Sequence, residues 1–203
     1  MQNVLRQFLQ IAQFERRAIL RRAFVNSLPV LMGYTTMGFA AGVLLSVKGG
    51  VHCAPAWSFV IAALLVSGTM SFAIVPAMAA SESFLAVALL TLGINFRYAL
   101  YGFSMLAKWK GIPVLQKWFL VHSLADEIYA LDLACTIKDP LKNRLYCLFN
   151  HAFCVGYWVL GSVAGSIAGS ALPIPSRGIE FAMVALFLVI FTDQMKGFFK
   201  HHG

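Results

Sequence analysis

Long apolar runs, separated by short polar stretches, set the rhythm of this chain. The first run covers residues 23–47, the second 55–80 and the third 83–107. A fourth, 118–137, is mixed and carries His122, Asp126, Glu127 and Asp132. The fifth, 145–172, is rich in small residues, and the sixth covers 178–194 before a short tail ending His201-His202-Gly203. Runs of about 20 apolar residues are long enough to cross the hydrocarbon core as helices. Inside the second block, Ser67-Gly68-Thr69-Met70-Ser71 and then Pro76 predict a helix break, and Pro29 with Asn26 and Ser27 predicts a kink in the first span. The pattern predicts an all-α, polytopic transmembrane protein of about five to six membrane segments. Residues 23–197 are read as one transmembrane domain and 198–203 as a tail.

Ahead of the first run, residues 1–22 place Leu5, Phe8, Leu9, Ala12, Ile19 and Leu20 among Arg and Gln. That is either a basic amphipathic helix lying on the cytoplasmic interface or an unstructured topogenic tail. It is not a cleavable signal, because the apolar run that follows is longer than the roughly 7–15 residues of a signal core.

Composition agrees with a membrane solvent. Of the 203 residues, 60% are hydrophobic and 12% charged, against about 45–50% and 25% in soluble domains. Soluble enzymes, DNA-binding modules and disordered proteins are excluded. The net charge of +8 does not imply a nucleic-acid partner, because the basic residues sit at the ends of apolar runs, as on the cytoplasmic side of a bilayer. Arg16, Arg17, Arg21 and Arg22 put the amino terminus in the cytoplasm. Lys108, Lys110 and Lys117 precede the fourth segment, while Lys138, Lys142 and Arg144 follow it. Both sets cannot lie inside if that segment crosses once, so it is interfacial or re-entrant, or the charge rule is overridden. Cys53, Cys135, Cys147 and Cys154 lack metal-ligand spacing and read as buried apolar residues.

An internal repeat connects the first and fifth segments. Gly33-Tyr34, Gly38 and Gly42 match Gly156-Tyr157, Gly161 and Gly165 at a constant offset of 123. Small residues four apart let helix backbones approach closely, so these six glycines are expected at helix contacts. Duplicated units are typical of secondary transporters, whose sites lie between the halves. At the same offset the counterpart of the third segment falls beyond residue 203. The second half is therefore expected to be incomplete, through truncation or because a partner supplies the missing surface.

Polar residues inside the apolar runs mark candidate chemistry. Arg97 sits mid-span, where an arginine costs about 2.5–3.5 kcal/mol on insertion scales and needs a partner. Either Arg97 aims at a substrate carboxylate, with Asn95 and Tyr101 beside it, or it forms a structural ion pair with Asp126, Glu127 or Asp193. Asp126 and Glu127, with His122 a turn earlier, are candidates for proton coupling, or else a solvated face. At the break, freed carbonyls and the hydroxyls of Thr69 and Ser71 could hold an ammonium group; the plainer alternative is a kink between packed helices. No HExxH, GxSxG or phosphate-binding loop occurs. The reading is therefore non-enzymatic, with no catalytic residue, metal or cofactor, and any active transport draws on an ion gradient or another subunit.

Taken together, these motifs resemble one family. Leu28-Pro29-Val30, Gly33-Tyr34, Gly38-Phe39, the Gly68-to-Ala73 stretch, Asn95-Phe96-Arg97-Tyr98-Ala99-Leu100-Tyr101-Gly102, Asp126-Glu127-Ile128-Tyr129-Ala130-Leu131 and Asp193-Gln194 are similar in order and spacing to the AzlC family. That family forms the large subunit of two-component branched-chain amino-acid exporters. The resemblance implies export of leucine, isoleucine, valine or similar residues across a bacterial inner (plasma) membrane, driven by the proton motive force, with a small AzlD-like membrane partner. Two departures stand out. The family's Gly-Ser-Ala-Gln-Phe reads Gly68-Thr69-Met70-Ser71-Phe72 here, and family members continue past the Asp-Gln pair with further apolar segments.

Overall fold

A computed structural model of the protein describes residues 13–172, with Phe181 beyond them. Within these, seven helices and no strand occur: α1 (Gln13–Lys48), α2 (Ala54–Leu65), α3 (Gly68–Ala79), α4 (Phe84–Met105), α5 (Val114–His122), α6 (Asp126–Ala134) and α7 (Pro140–Ala171). Apart from Phe181, the sixth apolar segment lies outside the described residues, as do Asp193, the tail and residues 1–12. Three helices, α1, α4 and α7, are long and apolar enough to cross a bilayer. α1, with 36 residues, is about 54 Å long at 1.5 Å per residue. It carries residues 13–22 as its own first turns, continuous across 22/23, while residues 1–12 of the expected interfacial segment lie outside the described residues. Pro29 is accommodated inside α1 without ending it.

The four short helices come from two broken segments. α2 ends where Val66 adopts a left-handed conformation (φ 40°, ψ 38°) with its N–H on Ala62 O. A β-branched residue there is a genuine outlier, and strain of this kind gathers at functional sites. Ser67 then caps α3, its Oγ accepting from Met70 N at 3.3 Å. The break expected across residues 67–71 is therefore confined to Val66 and Ser67; Gly68 to Ser71 form the first turn of α3, and Pro76 does not end that helix. The mixed fourth segment divides at Ser123-Leu124-Ala125 into α5 and α6, of nine residues each, too short to cross singly. Asp139 caps α7 through Leu141 N and Lys142 N, with Pro140 in the first turn.

Contacts fix how these elements run. α1 and α7 are parallel: Glu15 pairs with Lys142 at one end, Gly42 meets Ser162 and Ser166 further along, and Gly169 meets Val43 beyond that. α4 runs the other way, since Met105 near its end packs with Ile19, Ala23 and Leu145. α2 descends from the far end, where α1 stops at Lys48, and its Ser58, Ile61 and Ala62 share a small void with Ala41 and Leu45 of α1. α3 climbs back, from Gly68 beside Met37 to Val75 beside Leu45. α5 and α6 make the mirror excursion: Gln116 bonds Arg144 near the first end, His122 reaches Ala63 O, and Thr136 returns to Arg22.

The two broken segments are thus hairpins entering from opposite ends with their tips meeting mid-structure. The end of α4, the start of α5, the end of α6 and the starts of α1 and α7 all lie at one end. Both contested basic sets, Lys108 to Lys117 and Lys138 to Arg144, therefore flank a hairpin that leaves on the side it enters, which removes the conflict in the charge pattern.

One apolar core joins Tyr34, Leu44, Phe72, Ile128 and Trp158 around the tips; a second joins Ile19, Met105, Trp109, Leu120 and Tyr146 at the basic end. α4 turns Leu85, Leu89, Leu92, Phe96, Leu100 and Phe103 outward, a face suited to hydrocarbon.

Ser67 gives a first test of the tip. It caps α3, donates to Asn95 Oδ1 at 3.0 Å and lies 3.3 Å from the Tyr98 hydroxyl. Ser67→Ala removes all three interactions at a fully buried position. The expected loss is about 1–2 kcal/mol, the upper part of the range for a lost cap, read as a lower unfolding midpoint of the detergent-solubilised protein.

Candidate functional site

A cavity of about 260 Å³ opens where the hairpin tips meet α4. Val66, Gly68 and Thr69 line it from one tip and Ala125, Asp126 and Glu127 from the other. α4 contributes Arg97, Tyr98 and Tyr101, one helical turn of side chains; Tyr34 and Met37 come from α1 and Trp158 from α7.

Arg97 organises the polar side. Its Nη1 lies 2.9 Å from Asp126 Oδ2. Nη2 donates to Thr69 Oγ1 at 3.2 Å and to the Tyr98 hydroxyl at 3.3 Å, with the guanidinium 5.1 Å from the Tyr98 ring centre. Nε is buried without a partner. Asp126 is completed by Tyr101, whose hydroxyl donates to Oδ1 at 2.9 Å, and Tyr101 stacks on Tyr129 at 4.5 Å between ring centres. Glu127 accepts from the Tyr34 hydroxyl at 2.9 Å. Arg97 and Asp126 are 30% and 37% exposed, so the pair is reachable from the cavity.

The amino ends of α3 and α6 both begin at this cavity. Backbone N–H groups at a helix start carry partial positive charge and favour anions. Asp126 and Glu127 already stand on the start of α6. The first turn of α3 has no acidic residue, which leaves that end, beside Arg97, able to receive a carboxylate. Met37, Val66 and Trp158 form an apolar wall opposite, where the Trp158 indole N–H is buried without a partner.

The sequence-derived candidates divide on this geometry. Arg97, Tyr101, Thr69, Asp126 and Glu127 come together. Asn95 stands one layer behind, accepting from Ser67 rather than donating into the cavity. Ser71 faces a separate small void beside Ala41, Ser58 and Ser162. His122 does not share a helical face with Asp126, because the chain breaks between them; it stacks on Trp118 and bonds Ala63 O. Tyr34 and Trp158 were not singled out as site residues, since each lies on a different helix with no local polar signature.

Four of the six repeat glycines meet at the α1–α7 seam. A Cβ added at Gly38 would lie 2.9 Å from Trp158 O, and one at Gly161 2.7 Å from Thr35 O. Gly42 abuts the Ser162 backbone and Gly165 the Phe39 backbone. These contacts map onto each other at the same offset of 123, as in an isologous interface. Gly33 and Gly156 face open space and take no part in the seam.

The architecture defines a polytopic helical membrane protein with a charged cavity between opposed broken segments. The AzlC protein family model matches residues 29–172, and the chain belongs to that family. An uncharacterized membrane protein of Haemophilus influenzae is 35% identical over 179 residues, covering 87% of this chain and 72% of that protein. The branched-chain amino acid transport protein AzlC of Bacillus subtilis is 28% identical over 190 residues, covering 92% and 72%. The inner membrane protein YgaZ of Escherichia coli is 28% identical over 173 residues, covering 80% and 68%. No solved structure matches the chain. The family and the Bacillus relative support a role in membrane transport.

Proposed function

We propose that the chain is a subunit of a secondary transporter that exports branched-chain or other hydrophobic amino acids across the bacterial inner membrane. The proton motive force drives it, a small AzlD-like membrane subunit is its partner, and its basic end, with the amino terminus, faces the cytoplasm. The observation that carries this reading is the Arg97–Asp126 pair at the edge of a cavity with an apolar wall. A zwitterionic amino acid has one group for each side: its carboxylate replaces Asp126 on Arg97 at the start of α3, and its ammonium takes the released Asp126 and Glu127. No charge is left unpaired during the exchange, which matters because breaking a desolvated pair is costly. Met37, Val66 and Trp158 then receive the apolar side chain, and the name of the Bacillus relative supports that substrate class. Asp126 and Glu127 also supply groups for proton coupling.

A scaffold that recruits partners through its glycine-rich helices is less well supported. The seam of Gly38, Gly42, Gly161 and Gly165 is filled within the chain.

Export is tested in cells fed dipeptides of leucine, isoleucine, valine or methionine, with and without this chain and its small partner. The expected result is several-fold lower accumulation of the free amino acid, requiring both chains and lost on adding a protonophore. Equal accumulation with both chains in the membrane would count against export of these residues.

A further inference from the structure

The second hairpin holds a polar cluster that the cavity does not use. Asp132 of α6 and Ser123 at the α5–α6 break are fully buried, as are Asn150 and His151 of α7. His151 Nε2 lies 3.0 Å from Asp132 Oδ2, and His151 Nδ1 lies 2.8 Å from Ser123 Oγ. Asn150 Nδ2 donates to Asp132 Oδ1 at 3.1 Å. The Ser123 hydroxyl also donates to Phe119 O at 2.6 Å. The connectivity is that of a hydrolytic Ser-His-Asp set, but all three members are sealed from solvent, so what reaches them is no larger than a proton.

Counting hydrogens fixes the protonation this arrangement needs. A hydroxyl has one hydrogen, and that of Ser123 goes to Phe119 O. Ser123 therefore accepts from His151 Nδ1–H. At the other nitrogen, Nε2 either donates to an ionised Asp132 or accepts from a protonated one. Both forms contain one proton more than a neutral imidazole beside a carboxylate.

We infer that the Asp132–His151 pair is a proton-loading site whose occupancy is read at the hairpin tip through Ser123. The inference deepens the transport reading above by placing a proton site in the hairpin that carries Asp126. Loading adds a proton to the pair and breaks no covalent bond. On unloading, His151 retains Nε2–H on Asp132 and its bare Nδ1 needs a donor. The Ser123 hydroxyl turns to it and leaves Phe119 O, which still accepts the Ser123 backbone N–H at 3.0 Å. That rearrangement sits three residues before Asp126.

The surroundings suit a change of charge. From the turn after α4, Lys108 Nζ bonds the Asp132 main-chain carbonyl. The Trp109 ring meets the imidazole edge-on at 6.0 Å, and Phe119 of α5 packs against it. On α7, Tyr146, Cys147 and Cys154 are buried on the same helix as His151, and Cys135 closes α6.

The test is nitrogen NMR of the full chain, with labelled histidine, in lipid vesicles. Among five histidines, the His151 signal is identified by its loss in His151→Gln. If that variant does not fold, Ser123→Ala identifies it instead, by shifting the one imidazole it touches. The expected result is a proton on Nδ1, with or without a second on Nε2, at about pH 5, and a proton on Nε2 alone by about pH 9. Leucine binding by the same vesicles should vary with pH in the wild type and lose that dependence in Ser123→Ala. Unchanged protonation of His151 across the range would overturn the proton site, and pH-independent leucine binding beside a titrating His151 would overturn the coupling. A titrating His151 with no leucine binding at any pH would leave the proton site standing and overturn the amino-acid reading.

Discussion

Arg97→Ala is expected to lower leucine flux in reconstituted vesicles about 30- to 100-fold, with Arg97→Lys close behind. A desolvated pair broken on one side costs about 3–5 kcal/mol. A third of each side chain meets the cavity, which lowers the expectation to about 2–3 kcal/mol, and each 1.4 kcal/mol is a factor of ten. Lysine keeps the charge but loses the planar fork that reaches Asp126, Thr69 and Tyr98 at once, and a point charge does not reproduce it. The double variant Arg97→Ala with Asp126→Ala separates binding from architecture. A purely structural pair should become dispensable once both charges are gone, with flux and unfolding midpoint recovering together. At a substrate site the midpoint recovers and flux does not. Recovered flux in the double variant would remove Arg97 from substrate binding.

The same pair shows what was legible in the chain and what was not. An arginine at mid-span demands a partner on hydropathy grounds alone, and Asp126 was among three candidates, so the sequence narrowed the choice without making it. Thr69 and Tyr101 were legible because they share short polar interruptions with residues that carry charge. Tyr34 and Trp158 were not, because an aromatic residue in an apolar helix carries no local mark of facing a cavity. His122 was misjudged through an assumption of helical continuity: the periodicity that put it beside Asp126 fails at Ser123-Leu124-Ala125, where no Gly or Pro announces a break. Asp132 and His151 are 19 residues apart on different helices, and only the fold of the second hairpin brings them together. The basic residues, by contrast, were informative even in contradiction. Their presence on both sides of the fourth segment left an interfacial, a re-entrant or a rule-breaking segment open, and the opposed hairpins agree with the re-entrant one.

Gly165→Ala and Gly42→Ala are each expected to destabilise the protein by about 3 kcal/mol, the upper end of the range for overpacking, and Gly42→Leu to prevent folding. The reason is what the added carbon meets. At Gly165 it falls on the Phe39 carbonyl and Cα, and at Gly42 on the Ser162 carbonyl and Ser166 N. Backbone atoms of a long helix cannot rotate aside, so relief requires α1 and α7 to separate. Their separation would draw apart the Tyr34–Trp158 contact, now 5.8 Å between ring centres, and with it one side of the cavity. Gly33 and Gly156 provide the control, because the same added carbon meets nothing within 4 Å. There alanine should be neutral or slightly stabilising, given its advantage of up to about 1 kcal/mol over glycine in a helix. Unfolding midpoints of the four alanine variants in one detergent decide the matter. A drop confined to positions 42 and 165 supports the seam; equal drops at all four would mean that the α1–α7 approach is set elsewhere, and that the repeat glycines mark composition rather than contact.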